Sequence, residues 1–374
     1  MENSFKRIIR IPSRRELQHA NIEGKRILAR FDFNLPCDDG RVEDASRIDL
    51  AMPTIQFILS KKALELNIIT HFGRPKDEND QQFSTSVIAE VLAKKLALKP
   101  PVMKENEGAK SPVLKKYFQI GERVKLFENL RFDTREDDNS AAFADELSSL
   151  GDIFVQDAFA NIHRNHTSMV ALQKKLPTYA GLLLNKEVNT LFRILNNPER
   201  LFVAIIGGAK IEDKLPVIEA LAKIADYVIL GGMTANEWIL FDKPRKENIY
   251  FPTDGIAKSG SIVPINKETL KEGIFDIGPQ TIMLYKSILS PAKTVFWNGN
   301  LGMTEEKKFA HGTNEIARFI AKLKANTIAS GGNTIQVVDE LELADNFSFI
   351  SSGGGATSDF VCSKKMPALE LLLE

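Results

Sequence analysis

The sequence predicts an α/β fold in two domains, each a mostly parallel sheet flanked by helices. Short apolar runs rich in Ile, Val and Phe alternate with segments whose apolar residues recur at three- and four-residue spacing. This alternation is typical of βαβ units and therefore of a parallel sheet. The length of 374 residues exceeds the size at which one hydrophobic core usually stops growing, and 43% hydrophobic residues are enough for two cores.

The clearest predicted strands are seven apolar runs, at residues 26–29, 68–70, 124–127, 153–155, 202–206, 227–230 and 294–297. Predicted helices lie between many of them, at residues 87–96, 141–150, 216–225 and 314–323. In such sheets the loops that bind ligands collect at the carboxyl ends of the strands. The segments that stand out at these ends are FDFN, HFGRP, ENLRF, DAFANIHR, GGAK, WNG and GGN.

The character of these loops changes midway along the chain. Loops before Leu184 are rich in Arg and His and those after Gly207 are rich in Gly, which predicts two sites on two domains. Residues 185–196 have a helical pattern that Asn197 and Pro198 terminate. We predict an N-terminal domain at 1–184, a connecting helix at 185–198, a C-terminal domain at 199–362 and a tail at 363–374. The tail could pack on the first domain or cap the second.

Charge and hydropathy exclude several classes of function. Lys and Arg together number 49, as do Asp and Glu, so no global field would hold the protein on nucleic acid or an anionic membrane. The first residues lack the apolar region of a signal peptide, and no apolar run approaches the length that spans a bilayer. Cys37 and Cys362 lack the spacing of a zinc site or a disulfide framework. We expect a cytoplasmic protein whose anion sites are built locally.

Basic side chains of the first half lie at or just beyond predicted strand ends or in adjoining loops. They are Arg30, Arg47, His71, Arg74, Arg131, His163 and Arg164. Arginine suits a phosphate or carboxylate because its planar guanidinium donates two parallel hydrogen bonds and stays protonated. A single arginine is more often a surface residue paired with an acid, but the shared position of the set favours a site for a multiply charged anion. Asp32 and Asn34 alternate along FDFN and could bind a ligand hydroxyl from one side of an extended segment.

The segment AIIGGAKIEDK combines a strand end, two glycines and two lysines. Glycine lets backbone amides approach a phosphate closely, and a helix N-terminus adds a favourable dipole. Lys210 and Lys214 would share one face of a helix that starts here. A turn before a helix explains one glycine pair equally well, but further clusters at 231–232, 331–332 and 353–355 favour a nucleotide pocket. It is of neither common kind, because the Walker motif and the dinucleotide fingerprint are absent.

Taken in order, nine segments resemble the motif series of the phosphoglycerate kinase family. They run nearly from end to end of the chain and read RFDFNLP, HFGRPK, LFENLRF, DAFANIHRNH, AIIGGAKIEDK, GGM, FDIGP, FWNG and SSGGGA. The resemblance implies two Rossmann-like domains facing a hinge cleft, with phosphoglycerate on the first and Mg²⁺-nucleotide on the second. It also implies a monomer and the reversible glycolytic reaction, in which 1,3-bisphosphoglycerate and ADP give 3-phosphoglycerate and ATP by in-line transfer on domain closure.

The resemblance further implies roles for individual residues. The positions that resemble phosphoglycerate ligands are Asp32, Asn34, Arg47, His71, Arg74, Arg131 and Arg164, supported by Arg30 and His163. The positions that resemble nucleotide contacts are Lys186, Gly208, Lys214, Gly232, Asn298, Glu305, Gly331, Gly332, Asn333 and Thr334. Because the moving phosphoryl spreads its charge over three oxygens, catalysis rests on alignment and cationic stabilisation. The predicted catalytic residues are Arg47, Lys210 and Lys214.

Departures from the family pattern cluster on the nucleotide side. Asn333 stands where an aspartate associated with the metal-nucleotide complex is usual, and an amide oxygen binds Mg²⁺ without supplying charge. Glu212, Asn300 and Asn185 replace a small residue, a proline and a glutamate, and the segment before Phe275 is shorter than usual. An active kinase with altered nucleotide affinity is therefore the favoured hypothesis, and a phosphoglycerate-binding homologue with weak nucleotide use is the alternative.

Two other classes of protein fit the sequence less well. A nicotinamide-dependent dehydrogenase could share the architecture, but its fingerprint is absent and the basic cluster lies in the other half of the chain. A nucleic-acid binder would use a cationic face, whereas the net charge is zero and the arginines are scattered among strand-end loops.

Overall fold

Two mostly parallel sheets dominate the structure, one in each of the two units into which the chain folds. The computed structural model describes residues 13–38, 40–244 and 246–373. The first unit contains the described residues up to Asn189 and those from Lys365 onward, and the second unit is Thr190–Lys364. The division falls between Asn189 and Thr190, inside the predicted connecting helix, and between Lys364 and Lys365. The predicted domain limits stay predictions.

The first unit is built on a seven-stranded sheet and a separate two-stranded hairpin. The strands of the unit are β1 (Arg26–Arg30), β2 (Cys37–Asp38), β3 (Arg41–Val42), β4 (Glu65–Ile69), β5 (Val102–Glu105), β6 (Lys116–Ile120), β7 (Val124–Phe127), β8 (Ile153–Gln156) and β9 (Thr178–Ala180). The sheet order is β5-β6-β7-β4-β1-β8-β9, and β2 pairs with β3 in a separate hairpin. The five strands from β7 to β9 in this order are parallel, whereas β6 is antiparallel to both of its neighbours. The carboxyl ends of the five parallel strands therefore lie along one edge.

Helices cover the sheet of the first unit with their apolar faces. They are α1 (Ser46–Ser60), α2 (Ser86–Lys95), α3 (Pro112–Lys115), α4 (Ala141–Ser148) and α5 (Leu182–Asn196), the last of which continues into the second unit. In α1 the buried residues Ile48, Ala51 and Ile55 recur every three or four positions and join the core that contains Ile27 and Leu66. Helical periodicity thus decides which face of α1 is buried.

The second unit repeats the α/β plan with a fully parallel sheet. Its strands are β10 (Phe202–Ile206), β11 (Tyr227–Leu230), β12 (Ile249–Tyr250), β13 (Asp254–Ala257), β14 (Ile262–Pro264), β15 (Ile274–Ile277), β16 (Thr294–Asn298), β17 (Asn326–Ser330) and β18 (Phe349–Ser351). Six of them form the parallel sheet β12-β11-β10-β16-β17-β18, and β14-β13-β15 form a small antiparallel sheet. The expected fold class, with Rossmann-like α/β units, is confirmed.

The described part of the second unit contains the helices α6 (Ile211–Leu221), α7 (Gly232–Leu240), α8 (Lys267–Glu272), α9 (Pro279–Leu289), α10 (His311–Ile320), α11 (Gly332–Glu340) and α12 (Gly355–Val361). Of these, α7 and α11 begin directly after a parallel strand, and α6 and α12 follow a parallel strand after a short loop. The predicted glycine clusters therefore stand at the N-termini of α7, α11 and α12, where backbone N–H groups have no helical partner.

The start of α6 differs from the sequence-based prediction. The prediction began this helix at Pro216, whereas α6 begins at Ile211 and carries Pro216 inside it. Two acids in the first turn, Glu212 and Asp213, favour the earlier start, and the proline removes one helical hydrogen bond. Lys210 is consequently the residue before the helix, with an extended backbone, so the expectation that it shares a helix face with Lys214 is wrong.

The last described residues belong to the first unit. They include the short helix α13 (Pro367–Glu370), and the Gln173 side-chain amide donates a hydrogen bond of 2.9 Å to the carbonyl oxygen of Ala368. A bridge of β type joins Leu373 to Arg14. The described residues beyond Lys365 are thus fixed to the first unit.

No helix in the described parts of the chain combines the length and the apolarity needed to cross a lipid bilayer. The longest, α1 and α5, have 15 residues each, whereas a bilayer requires about 20 predominantly apolar residues.

Candidate active site

Basic residues of the first unit meet at the carboxyl edge of its sheet. Arg30 ends β1, His71 follows β4 by two residues, and Arg131 lies in a 3₁₀ turn after β7. The pKa of His71 is lowered well below its ordinary value, first by burial and then by the charges of Arg30, Arg131 and Arg47. Direct contacts bring two of these side chains together, since Arg30 Nη2 lies 3.1 Å from His71 Nδ1.

Asp32 and Asn34 hold the loops of this edge in place. The Arg47 guanidinium on α1 donates a hydrogen bond to Asp32 Oδ2, while Asp32 Oδ1 accepts from the Asn34 backbone N–H at 3.2 Å. The Asn34 side-chain oxygen in turn accepts from the backbone N–H of Gly73 at 2.7 Å. The predicted FDFN and HFGRP segments are therefore joined, and Asp32 neutralises part of the charge of Arg47.

Three arginines of the first unit form a cationic group. Arg131 donates to the carbonyl oxygen of Gly73 at 2.6 Å, which directs its guanidinium into the HFGRP loop. Burial lowers the pKa of Arg131 most, and the like charges of Arg74 and Arg164 lower it further, while Asp137 opposes them. Arg74 and Arg164 are exposed. Like charges gathered beside one partly buried arginine are typical of a site for a multiply charged anion.

The two supporting residues differ in their burial. Arg30 is 1% exposed, and burial lowers its pKa although the charges of Glu136 and Asp32 oppose this. His163 is half-buried in the turn that precedes Arg164. Arg30 is therefore part of the wall of the site rather than a solvent-facing group.

A buried carboxyl group lies at the start of α5 in the same unit. Asp157 follows β8 directly, and its Oδ1 accepts a hydrogen bond of 2.9 Å from the backbone N–H of Leu184. Its Oδ2 is buried and has no hydrogen-bond partner among the described residues. Burial raises the pKa of Asp157 to about 7.

This raised pKa makes stability depend on pH. Since the folded pKa lies above the unfolded value, the folded state holds the proton more tightly, and the contribution to stability is lost as pH rises toward 7. Asp157→Asn keeps the acceptor for Leu184 but does not titrate. We expect its free energy of unfolding, relative to that of the wild type, to rise by roughly 3 kcal/mol when the pH is raised from about 5 to about 8. Urea unfolding at both pH values measures this difference, and a difference that does not change with pH would contradict the assignment.

The second unit contains a cavity of about 520 Å³ at the carboxyl edge of its sheet. Its walls come from strand-end loops and helix N-termini, and the lining residues are Gly208, Ala209, Lys214, Gly232, Met233, Ile274, Phe275, Gly299, Asn300, Gly302, Met303, Glu305, Gly331, Gly332, Asn333 and Thr334. This volume is in the range of small-ligand pockets.

Glycine is required where two strand-end loops cross beside this cavity. A Cβ atom on Gly207 would lie 2.0 Å from the backbone oxygen of Asn300. Gly299, on the facing loop, has a φ of +98°, and its added Cβ would lie 2.2 Å from the oxygen of Gly207. The GGAK and WNG segments therefore pack backbone against backbone, which no larger residue permits.

The three predicted lysines occupy different environments. Lys214 lines the cavity from the first turn of α6 and donates a hydrogen bond to the side-chain oxygen of Asn298. Burial lowers the pKa of Lys214, and Asp213 opposes this shift. Lys210 is exposed and does not line the cavity. Lys186 is exposed on α5, in the first unit, so its predicted nucleotide contact stays a prediction.

The N-terminus of α11 forms one wall of the cavity. Gly331, Gly332, Asn333 and Thr334 all line it, and a helix N-terminus presents unpaired N–H groups and a positive dipole end to an anion. The Asn333 side-chain amide donates to Glu305 Oε1 at 3.5 Å. No cluster of three metal-ligating His, Cys, Asp or Glu side chains occurs in the described part of the chain.

Several lining residues have no signal in the sequence beyond their type. Met233, Ile274, Phe275 and Met303 give the cavity an apolar wall, but any loop methionine could be surface or core. Asn300 is 5% exposed, and its Oδ1 has no partner within the described chain, although its Nδ2 donates to Thr304 at 2.7 Å.

Glu212, one of the departures from the family pattern, is exposed and is not part of the cavity lining. Its position in the first turn of α6 accounts for it, because an acid there interacts favourably with the helix dipole.

The family model described as phosphoglycerate kinase matches residues 17–243 and 234–364. A phosphoglycerate kinase of Thermomicrobium roseum is 33% identical over 391 residues, which cover 96% of this chain and 99% of that protein. The chain belongs to the phosphoglycerate kinase family. The phosphoglycerate kinase of Herpetosiphon aurantiacus is 36% identical over 381 residues, with 93% of this chain and 96% of that protein covered.

Solved structures of phosphoglycerate kinases have the same fold. The structure from Coxiella burnetii superposes with a TM-score of 0.81 at 30% identity, covering 96% of this chain and 99% of that one. The structure from Pyrococcus horikoshii OT3 gives a TM-score of 0.80 at 27% identity. The resemblance drawn from nine motif segments is confirmed, and the chain is a kinase of this family.

Proposed function

We propose that this protein transfers a phosphoryl group reversibly between 1,3-bisphosphoglycerate and ADP, giving 3-phosphoglycerate and ATP. The observation that carries the proposal is that the two units contain two different kinds of candidate binding site. A cationic group with the neighbouring side chains of Asp32 and Asn34 occupies the first unit, and a glycine-walled cavity with one lysine occupies the second. We further propose that it acts as a cytoplasmic monomer with Mg²⁺-nucleotide as its substrate.

In the first unit, the two polar residues of FDFN and the basic residues would bind different parts of the phosphoglycerate. Arg74, Arg131 and Arg164 would bind its phosphate, since three guanidinium groups match a doubly charged anion. Asp32 and Asn34 would bind its hydroxyl. Arg47, His71 and Arg30 would lie on the same side of the site as Asp32 and Asn34. Arg47 would stabilise the carboxyl group of the substrate, to which the phosphoryl is transferred.

In the second unit, the nucleotide would enter the cavity with its phosphates toward α11 and Lys214. The backbone N–H groups at Gly331, Gly332 and Thr334 would bind phosphate oxygens, and Gly208 and Gly232 would allow a close approach of the backbone. The apolar wall would hold the base, and Asn298, which Lys214 contacts, would support the lysine.

The chemistry asked of these residues is electrostatic. The phosphoryl group passes through a loose transition state in line between two oxygens, so positioned cations supply most of the acceleration. Lys214 is the cation in the cavity, and Arg47 is the cation next to the acceptor oxygen. Lys210 would contribute only by moving its exposed side chain toward the phosphates.

The cavity also offers oxygen ligands that fit Mg²⁺. The Asn333 amide donates through its nitrogen to Glu305, which leaves the amide oxygen and the carboxylate of Glu305 as the kind of donors that Mg²⁺ prefers. A bound Mg²⁺ would neutralise part of the phosphate charge. Asn333 supplies no negative charge itself, so the metal complex would be held weakly.

We therefore expect Asn333→Asp to raise kcat/KM for the Mg²⁺-nucleotide, by up to about tenfold, because a second carboxylate beside Glu305 strengthens a site for a hard cation. The same substitution should make the rate more dependent on the Mg²⁺ concentration, because two carboxylates that no cation neutralises repel each other. Initial rates over a series of nucleotide and Mg²⁺ concentrations measure both effects. Asn326→Asp, at an exposed position, controls for the added charge. An unchanged or lower kcat/KM would refute the role of Asn333.

Calorimetric titration tests the division between the units. The wild-type protein should bind 3-phosphoglycerate and Mg²⁺-ADP in separate titrations. Arg131→Met should abolish the heat of phosphoglycerate binding and leave that of Mg²⁺-ADP, because only the first unit's cationic group is changed. Loss of both ligands in a variant that remains folded, or binding of neither by the wild type, would overturn the proposed function.

A further inference from the structure

We propose that Glu136 and Ser168 are positioning residues that act through Arg30 to fix His71 as its neutral Nε2–H tautomer. The four side chains come from separate segments of the first unit, namely a 3₁₀ turn, a π-helical turn, the end of β1 and the loop after β4. All four are buried, with exposed fractions of 1%, 0%, 1% and 6% in the order given. His71 thereby offers a hydrogen-bond donor without adding a charge to an already cationic site.

The chain of hydrogen bonds from Arg30 to Glu136 has only one direction. Arg30 Nε lies 3.1 Å from Ser168 Oγ, and Ser168 Oγ lies 2.6 Å from Glu136 Oε1. A guanidinium only donates, so the serine oxygen accepts from Arg30, and its single hydrogen is left for the carboxylate. Glu136 Oε2 also accepts from the Ser168 backbone N–H at 3.0 Å, which fixes both ends of the serine.

This arrangement pairs two buried charges through a hydroxyl group. Burial raises the pKa of Glu136, and the charge of Arg30 and the two bonds from Ser168 oppose that shift. Burial lowers the pKa of Arg30, and Glu136 is the first of the charges that oppose it. Each charge thus stabilises the other, and Ser168 sets the distance between them.

The same argument fixes the ring of His71. Arg30 Nη2 lies 3.1 Å from His71 Nδ1. Since Nη2 can only donate, Nδ1 must be the unprotonated nitrogen, and the proton of a neutral ring then resides on Nε2. The tautomer follows from the donor-only chemistry of arginine together with the ring orientation that places Nδ1 toward Arg30.

The groups around His71 also keep the ring neutral. Burial and the charges of Arg30, Arg131, Arg47 and His166 all lower its pKa, and Asp32 Oδ1, at 3.9 Å from Nδ1, is the acid near enough to oppose them. Asp32 is itself bonded to Arg47. A second proton on Nδ1 would in addition face the N–H of Arg30.

The nitrogen left for a ligand is Nε2, which has no hydrogen-bond acceptor among the described residues. If the proposed function holds, on which this step rests, the Nε2–H group donates to an oxygen of phosphoglycerate. Loss of its orientation should then weaken ligand binding without removing a charge from the site.

The test is the ¹⁵N spectrum of the histidine rings in the labelled, ligand-free full-length protein near neutral pH. The five histidines are distinguished by recording His71→Gln alongside the wild type. We expect the His71 signals to show a non-protonated Nδ1 and a protonated Nε2. A protonated Nδ1, or an imidazolium, would overturn the proposal whatever the enzyme does.

Variants then test the positioning residues. Ser168→Ala and Glu136→Gln should shift both ring signals toward the average of the two tautomers, and Ser168→Thr should restore the wild-type spectrum. Ser60→Ala, at an exposed serine on α1, is the matched control. Unchanged ring signals in the two variants would refute the role of Glu136 and Ser168.

Binding separates this inference from the proposed function. Ser168→Ala should raise the Kd for 3-phosphoglycerate about tenfold, as expected for one misdirected hydrogen bond, and leave the Kd for Mg²⁺-ADP unchanged. If the wild type binds no phosphoglycerate, the proposed function fails while the spectrum still decides the tautomer. If the wild type binds it and the variant binds equally well, the ligand role of His71 is refuted.

Discussion

Replacing Lys214 with methionine is expected to lower kcat about 1,000-fold, because this lysine is the cation of the cavity in the second unit and a comparable cationic group accelerates phosphoryl transfer by that order. Methionine keeps the length and the apolar stem, so the walls of the cavity should persist. Nucleotide affinity should fall by a smaller factor, since the α11 N-terminus still binds phosphate.

Steady-state rates in both reaction directions measure this effect. Lys258→Met is the matched control, since Lys258 is exposed in the same unit and does not line the cavity. The two variants should unfold at similar urea concentrations. A Lys214→Met protein that retains more than about a tenth of the wild-type rate would contradict the electrostatic role given to this lysine.

Gly207→Ala is expected to destabilise the second unit by about 3 kcal/mol or more. Its Cβ would lie 2.0 Å from the backbone oxygen of Asn300 and 2.9 Å from that of Gly299, so the neighbours in conflict are backbone atoms of the facing loop. Backbone cannot rotate away as a flexible side chain can. The two loops would have to separate, which would also distort the cavity wall at Asn300.

Denaturant unfolding of purified protein measures this loss. Gly355→Ala is the control, because no atom lies within 4 Å of its added Cβ and the position is the first residue of α12. We expect that control to be neutral or more stable by about 0.5 kcal/mol. Equal stability of Gly207→Ala and Gly355→Ala would show that the close packing of the GGAK and WNG loops is not required.

The central strands could be predicted because buried strands consist mostly of apolar residues. β7, β10 and β11 have the predicted limits of 124–127, 202–206 and 227–230, and each is a mostly apolar run that ends before a glutamate or a glycine. β5, by contrast, is exposed along its whole length, and β13 to β15 form a small antiparallel sheet of mixed composition. Such strands are defined by pairing with a neighbouring strand, which the apolar pattern of a single segment does not reveal.

The candidate site divides along a similar line. Residue type and position at strand ends indicated the arginines of the first unit, because a multiply charged ligand needs several fixed cations. The position of the Ser168 hydroxyl, which joins Arg30 to Glu136, depends on a π-helical turn that no sequence pattern predicts. The position of Lys210 before α6 rather than within it likewise depends on where the helix begins.

The family assignment came from the order of nine motifs, whereas the differences between the two lysines of GGAK required the structure. Residue spacing alone made Lys210 and Lys214 equivalent, but only Lys214 lines the cavity. In the same way, the sequence showed Asn300 as a departure from the family pattern, but it did not show that the buried Oδ1 of Asn300 has no hydrogen-bond partner in the described part of the chain.

The most direct test of the account is ATP-dependent phosphorylation of 3-phosphoglycerate with Mg²⁺, coupled to reductive consumption of the acyl phosphate. The wild type is compared with Arg47→Ala and with Arg41→Ala, an exposed arginine of β3. We predict rapid turnover by the wild type and Arg41→Ala and its loss in Arg47→Ala. No turnover by a wild type that binds phosphoglycerate in calorimetry would contradict the account and favour a binding protein without kinase activity.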